Sequence, residues 1–215
     1  MAEPVSTEPS TEKPVRKEPI EFYFDFSSPY GYFAATRIGA IAREHGREVL
    51  WKPYLLGAVF KVTGGAPVPS IPLKGEYQKR DMERVSRLWR IPYKEPSRFP
   101  VGGQAPSRIV YWLQEHHPDK QEGAVLALFH AYFVEDRDIS TPEIAADVVA
   151  SLHLNQDELL AATQAPEMKE RLRQECDAAI KKGVFGSPFI IVDGEPFWGA
   201  DRLAQVEEWL ETGGF

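Results

Sequence analysis

Two short stretches of this sequence carry residue types that could do chemistry. The first is Asp25-Phe26-Ser27-Ser28-Pro29-Tyr30-Gly31, and the second is Gly183-Val184-Phe185-Gly186-Ser187-Pro188-Phe189. In the first, Ser28 stands directly before a proline that suits the opening turn of a helix, where its missing N–H costs nothing. A helix start leaves backbone N–H groups unpaired and carries the positive end of the helix dipole, so it favours negative charge. A serine hydroxyl placed there either donates to an anion or serves as an ordinary helix cap. With no base beside it, the same hydroxyl is a poor nucleophile. In the second stretch, Pro188 opens an apolar, β-branched run, a position where a sheet needs no donor. A cis Ser187–Pro188 bond is open to it, although spacing alone favours trans.

Positioning these stretches requires strands and helices on either side, and the hydrophobic pattern supplies them. Ile20, Phe22, Phe24 and Phe26 alternate with Glu21, Tyr23 and Asp25, which predicts a strand with one strongly apolar face. A helix follows over Tyr30 to His45 with Gly46 at its end, and a second strand over Glu48 to Tyr54. Strand, helix, strand in this order is a βαβ unit with a parallel pair. The region from Leu55 to Ala165 opens with a Gly/Pro-rich loop, Thr63 to Pro72. Helical patterns then cover roughly Lys74 to Arg90, Gln104 to His116, Gln121 to Glu135, Thr141 to Leu152 and Gln156 to Thr163. After a helix over Glu167 to Lys182, a strand over Pro188 to Val192 meets the hairpin signal Asp193-Gly194. A return strand, Glu195 to Trp198, and a helix over Asp201 to Leu210 close the chain. The order βαβ, helices, ββα predicts an α/β fold with a mixed four-stranded sheet. Its halves are 20–55 and 166–215, and 56–165 form an inserted all-helical subdomain.

Composition narrows the function classes. Across 215 residues, 25 basic side chains face 32 acidic ones, a net charge of −7, which argues against a general nucleic-acid binder. No apolar run reaches the roughly 20 residues of a membrane span. The single cysteine excludes an intrachain disulfide and fits a reducing, cytoplasmic setting. That cysteine, Cys176, falls inside a helical pattern and reads as structural. The five histidines form no metal pattern, so no metal is expected. Trp198 either lines a substrate pocket or packs on the sheet, while Trp89, Trp112 and Trp209 read as packing residues. Met1 to Pro19 holds four of the 18 prolines and almost no large apolar residue, which predicts a disordered tail. Its composition is neither that of a secretory signal nor that of a transit peptide.

At the two seams the sequence also resembles a known family. FYFDFSSPYGYFA and KKGVFGSPFIIVDGEPFWGADRL, with the split topology, are similar to the DsbA-like branch of thioredoxin-fold proteins. More narrowly, they resemble 2-hydroxychromene-2-carboxylate isomerases and kappa-class glutathione transferases, over about Ile20 to Leu210. The resemblance implies a thioredoxin-like fold and glutathione as the thiol reagent. The redox relatives carry C-x-x-C at the helix start, where this chain reads Ser28-Pro29-Tyr30-Gly31. Neither sulfur is present, so dithiol–disulfide exchange cannot occur there.

What the resemblance implies for single residues follows by position. Ser28 matches the catalytic serine that hydrogen-bonds the glutathione sulfur, with Pro29 and Tyr30 completing the motif. Ser187 precedes the family's cis-proline, matched by Pro188, and its backbone would pair with the cysteinyl backbone of glutathione. This reverses the preference for a trans bond. Gly199, Ala200, Asp201 and Arg202 match the loop that holds the γ-glutamyl end; Asp201 is also a candidate cap of the last helix. Lys74 matches a lysine that reaches the glycine carboxylate. Gly65 stands where kappa enzymes carry a glutathione-contacting asparagine, so that contact is lost or moved. The implied activity is glutathione-dependent cis–trans isomerisation of an aromatic carboxylate, in the breakdown of aromatic compounds. A kappa-like transferase or peroxidase is the alternative. A thioredoxin-fold binding module without turnover is the alternative of another class. A homodimer is plausible by the same resemblance.

Overall fold

The computed structural model describes residues 18–215, so nearly all of the tail expected over Met1 to Pro19 lies outside the described residues. The first half-fold is β1 (Ile20–Phe24), α1 (Pro29–Glu44) and β2 (Val49–Pro53). Six helices follow: α2 (Leu56–Thr63), α3 (Lys74–Trp89), α4 (Gln104–His116), α5 (Gln121–Phe133), α6 (Pro142–Ala150) and α7 (Gln156–Gln164). The chain ends with α8 (Pro166–Lys181), β3 (Phe189–Val192), β4 (Glu195–Trp198) and α9 (Leu203–Thr212).

The strands form one sheet in the order β2-β1-β3-β4. β1 pairs parallel with β2, with Phe22 opposite Trp51, and antiparallel with β3, with Phe22 opposite Ile190. The Asp193-Gly194 turn closes the β3–β4 hairpin, with both residues at positive φ. Helix α1 begins at Pro29 and ends where Gly46 takes a positive φ, as a helix terminus asks.

Both faces of the sheet are covered. Phe22, Phe24 and Trp51 pack with Phe33 and Ile38 of α1 and with Phe129 of α5. The rings of Phe24 and Phe26 lie 5.5 and 5.0 Å from Phe129, so the helical block and the sheet share one core. On the opposite face, Tyr23, Phe189 and Ile191 meet Met168, Leu172 and Cys176 of α8 and Tyr111 of α4. This corrects the reading of β1 as a strand with a single apolar face. Tyr23, on the polar phase of the alternation, is buried because α4 and α8 roof that side, and Asp25 just beyond the strand is buried as well. Each buried aromatic side chain contributes about 1.5–3 kcal/mol, and Phe22, Phe24, Phe26 and Phe33 are all fully buried at the seam.

Helix α2 is a second departure. The sequence pattern left Leu56 to Val62 without an element, yet these residues form a helix that ends on Gly64 in the left-handed region. A short apolar run has no clear period, and neighbouring glycines and prolines mask it.

Candidate functional site

The two chemical stretches meet at one end of the sheet. β1 delivers Asp25 to Ser28 at the start of α1, and Ser187-Pro188 stands beside them at the entrance to β3. Ser28 is extended, with φ −89° and ψ 113°, and caps α1: its Oγ accepts from the Gly31 N–H at 3.0 Å. The Ser28 hydroxyl in turn donates to the Ser187 carbonyl at 2.8 Å. The Ser187–Pro188 bond is cis, as is Phe99–Pro100. Gly31 permits the close approach, because a Cβ there would lie 2.9 Å from Ser187 Oγ.

Asp25 clamps the arrangement from below. Its Oδ1 accepts from the Ser27 N–H and from the Ser27 hydroxyl, each at 2.7 Å. Its Oδ2 accepts from the Leu56 N–H at 2.7 Å, at the start of α2. Its own N–H donates to Ser187 Oγ at 2.9 Å. One side chain therefore ties together the β1–α1 loop and α2, and its backbone adds the cis-proline loop. Burial pushes the Asp25 carboxyl above the usual carboxylate range, and the donated hydrogen bonds pull against that without cancelling it.

A cavity of about 1100 Å³ opens over this junction. Ser28, Pro29, Tyr30 and Ser187 line it together with Gly199, Ala200, Asp201 and Arg202. Pro188 is buried beside Ser187. Lys74, the first residue of α3, is exposed and lies outside the cavity wall; the lysine that lines it is Lys61 of α2. Asp201 does not cap the last helix, which starts at Leu203 after Arg202. It lies in a short 3-10 turn, exposed, with its carboxylate 3.6 Å from Arg202.

Several wall residues were not marked by the sequence. The face of α3 that carries Gln78, Asp81, Val85 and Trp89 forms one side. Tyr30 donates to Asp81 at 2.7 Å, and Arg84 binds the same carboxylate. Burial first, and then Asp81, push the Tyr30 hydroxyl up, so it stays protonated at neutral pH. Trp89, read from the sequence as a packing residue, both lines the cavity and packs on Phe33, with Arg37 over its ring at 4.7 Å. At the mouth, Trp198 is 57% exposed and meets Phe185 at 4.8 Å. It also closes over Gly186, where any side chain would collide with the indole.

A family profile described as the DSBA-like thioredoxin domain matches residues 19–211. Among curated proteins, a glutathione S-transferase kappa 2 of Caenorhabditis elegans is 29% identical over 89% of this chain and 91% of its own length. A 2-hydroxychromene-2-carboxylate isomerase of Sphingobium xenophagum is also 29% identical, over 89% of this chain and 97% of its own length. A solved 2-hydroxychromene-2-carboxylate isomerase superimposes with a TM-score of 0.81 at 25% identity, covering 89% of this chain and 94% of that one.

Proposed function

The chain belongs to the DSBA-like thioredoxin family, and from that premise we propose that it is a glutathione-dependent isomerase of the 2-hydroxychromene-2-carboxylate type. The observation that carries this reading is the hydroxyl of Ser28 at the start of α1, beside Ser187 and a cis proline, on the wall of a cavity about 1100 Å³ in volume. With serine at the helix start, sulfur chemistry at this site would need a thiol carried in by a ligand. The residues present suit glutathione. The first turn of α1 leaves the Tyr30 N–H without a partner among the described residues. The Ser187 carbonyl, which accepts from the Ser28 hydroxyl here, would also be the acceptor for a peptide N–H of the ligand. Glutathione, when bound, would supply a thiolate that adds reversibly to a conjugated carbon of an aromatic acid and leaves again after the bond has turned.

The protein's part is to make that sulfur anionic and to hold it. Ser28 spends its hydrogen on the Ser187 carbonyl in the ligand-free chain. A peptide donor arriving at that carbonyl competes with Ser28 for it, and the hydroxyl is then free to turn toward sulfur. A hydrogen bond to a charged acceptor is worth about 1.5–3 kcal/mol, or about one to two units of thiol pKa. The N-terminus of α1 acts in the same direction. Asp25 holds Ser27 and α2 in register, and its N–H fixes Ser187 Oγ, so the two serines keep their spacing. The turn at 199–202 lines the cavity, and there Asp201 would accept from the ammonium of a γ-glutamyl group. Lys61, exposed like Lys74 but on the cavity wall, would supply the cation for a carboxylate of the ligand.

The test is isomerisation of 2-hydroxychromene-2-carboxylate with and without glutathione. The expected result is turnover only with glutathione, all of which is recovered afterwards. Equal rates without it refute the reading. The kappa 2 relative matches at the same 29% identity, which supports a second reading in which glutathione is consumed. Loss of thiol in step with product would establish that one instead.

A further inference from the structure

The Gly186–Ser187 peptide stands between a buried core and the cavity. Its carbonyl accepts from the Tyr54 hydroxyl at 2.6 Å, in a buried hydrogen bond. Tyr54 directly follows β2, is 1% exposed, and is itself held by its N–H, which donates to the Phe24 carbonyl at 2.9 Å. Its ring meets Tyr23 edge-on in the core under α8 and takes no part in the cavity wall. Burial pushes its hydroxyl well up, so it remains a donor at neutral pH. The peptide is trans and planar, so its N–H points opposite to its carbonyl. With the carbonyl turned inward to Tyr54, the Ser187 N–H is turned toward the cavity that Gly186 and Ser187 line. The other polar groups of Ser187 are engaged: Oγ accepts from the Asp25 N–H, and the carbonyl accepts from the Ser28 hydroxyl. Its N–H has no partner among the described residues.

We propose that Tyr54 is a positioning residue: its hydroxyl sets the plane of the Gly186–Ser187 peptide and so aims the Ser187 N–H at a backbone carbonyl of bound glutathione. This rests on the reading of glutathione as the ligand, and it adds what holds the receiving group in place. Tyr54 never touches the ligand and acts only through the peptide. Without the hydroxyl the Gly186 carbonyl loses its buried donor, and any turn it makes carries the N–H with it, because the unit is planar. A hydrogen bond at the carbonyl also strengthens the N–H at the other edge as a donor.

The test is calorimetry of glutathione binding to the parent protein, Tyr54→Phe and Tyr32→Phe. Tyr32 is the control, a buried phenol whose hydroxyl donates to the Pro92 carbonyl at 2.9 Å, with neither residue on the cavity wall. Both variants lose one such bond and should melt below the parent by similar amounts. Only Tyr54→Phe should bind glutathione more weakly, by about three- to tenfold. It should lose S-methylglutathione by the same factor, because the contact is with peptide backbone and not with sulfur. A second measurement uses the unaltered protein and decides the matter even where the variant fails to fold. Gly186-Ser187 is the only Gly-Ser pair in the sequence, so isotope labels on glycine carbonyl carbons and serine nitrogens single out its amide in nuclear magnetic resonance. Saturating glutathione should move that amide proton downfield. An unmoved amide proton overturns the proposal, and so does a Tyr54→Phe that binds as tightly as the parent or as Tyr32→Phe. A loss seen with glutathione but not with S-methylglutathione also overturns it, since that places the effect at sulfur. A parent protein that binds no glutathione removes the proposed function and this proposal together, whereas the other adverse results remove this proposal alone.

Discussion

Asp25 offers the sharpest structural perturbation of the site. Asp25→Ala deletes the acceptor for the Ser27 N–H, the Ser27 hydroxyl and the Leu56 N–H. At about 1 kcal/mol for each bond, the expected loss is about 3 kcal/mol of unfolding free energy. The companion substitution Asp25→Asn separates charge from shape. Burial raises the Asp25 carboxyl, so the folded chain holds that proton more tightly than the unfolded chain does. Unfolded protein therefore binds fewer protons between the ordinary carboxylate range and the folded-state pKa, and stability falls as pH rises through that window. The slope from one such group is at most about 1.4 kcal/mol per pH unit. It is zero below the window and zero again above it. Asn does not titrate, so the contribution should vanish in Asp25→Asn. Urea unfolding of the three proteins at a series of pH values measures both effects. A loss under about 1 kcal/mol in Asp25→Ala, or identical pH profiles for Asp25→Asn and the parent, would refute the role given to this carboxyl.

Other expectations follow from the same geometry. Ser28→Ala removes the cap on the Gly31 N–H and should cost about 1 kcal/mol of stability. It should also lower glutathione-dependent turnover near neutral pH by about tenfold to a hundredfold, while Ser28→Thr keeps the hydroxyl and most of the rate. Gly31→Ala places a methyl 2.9 Å from Ser187 Oγ, which must move off the Asp25 N–H. Calorimetry should show weaker glutathione binding in a folded protein, and unchanged affinity would count against the close approach as a requirement. Cys176 is buried, its thiol is pushed up by that burial, and its Sγ accepts from the Leu55 N–H at 3.4 Å. Ellman's reagent should leave it unmodified in native protein at mildly alkaline pH and titrate it fully in urea.

The strands were legible because their periodicity is driven by burial that the sequence itself displays. Ile20, Phe22 and Phe24 alternate cleanly, and Asp193-Gly194 marks its turn by backbone requirement alone. The two serine motifs were legible as a helix start and a strand start. That they face each other across 2.8 Å depends on the whole topology and on a glycine at 31. Asp25 was visible only as a polar residue in an alternating strand. It is buried among partners distant in sequence, the Leu56 N–H at the start of α2 and Ser187 Oγ, which no local pattern announces. Gln78 and Asp81 were hidden for a related reason. A polar residue on an amphipathic helix reads as facing bulk water, and here that side of the helix lines a cavity. Lys61 and Lys74 exchanged prominence because α2, unrecognised in the sequence, carries Lys61 to the wall.

The central claim is that Ser28 and the start of α1 hold a borrowed thiol as its anion. The direct measurement is an ultraviolet titration of thiolate absorbance for glutathione bound to the protein at saturation. The account expects a bound thiol whose pKa lies about one to two units below that of free glutathione. A bound thiol that titrates with the free one, or no bound glutathione at all, would contradict it.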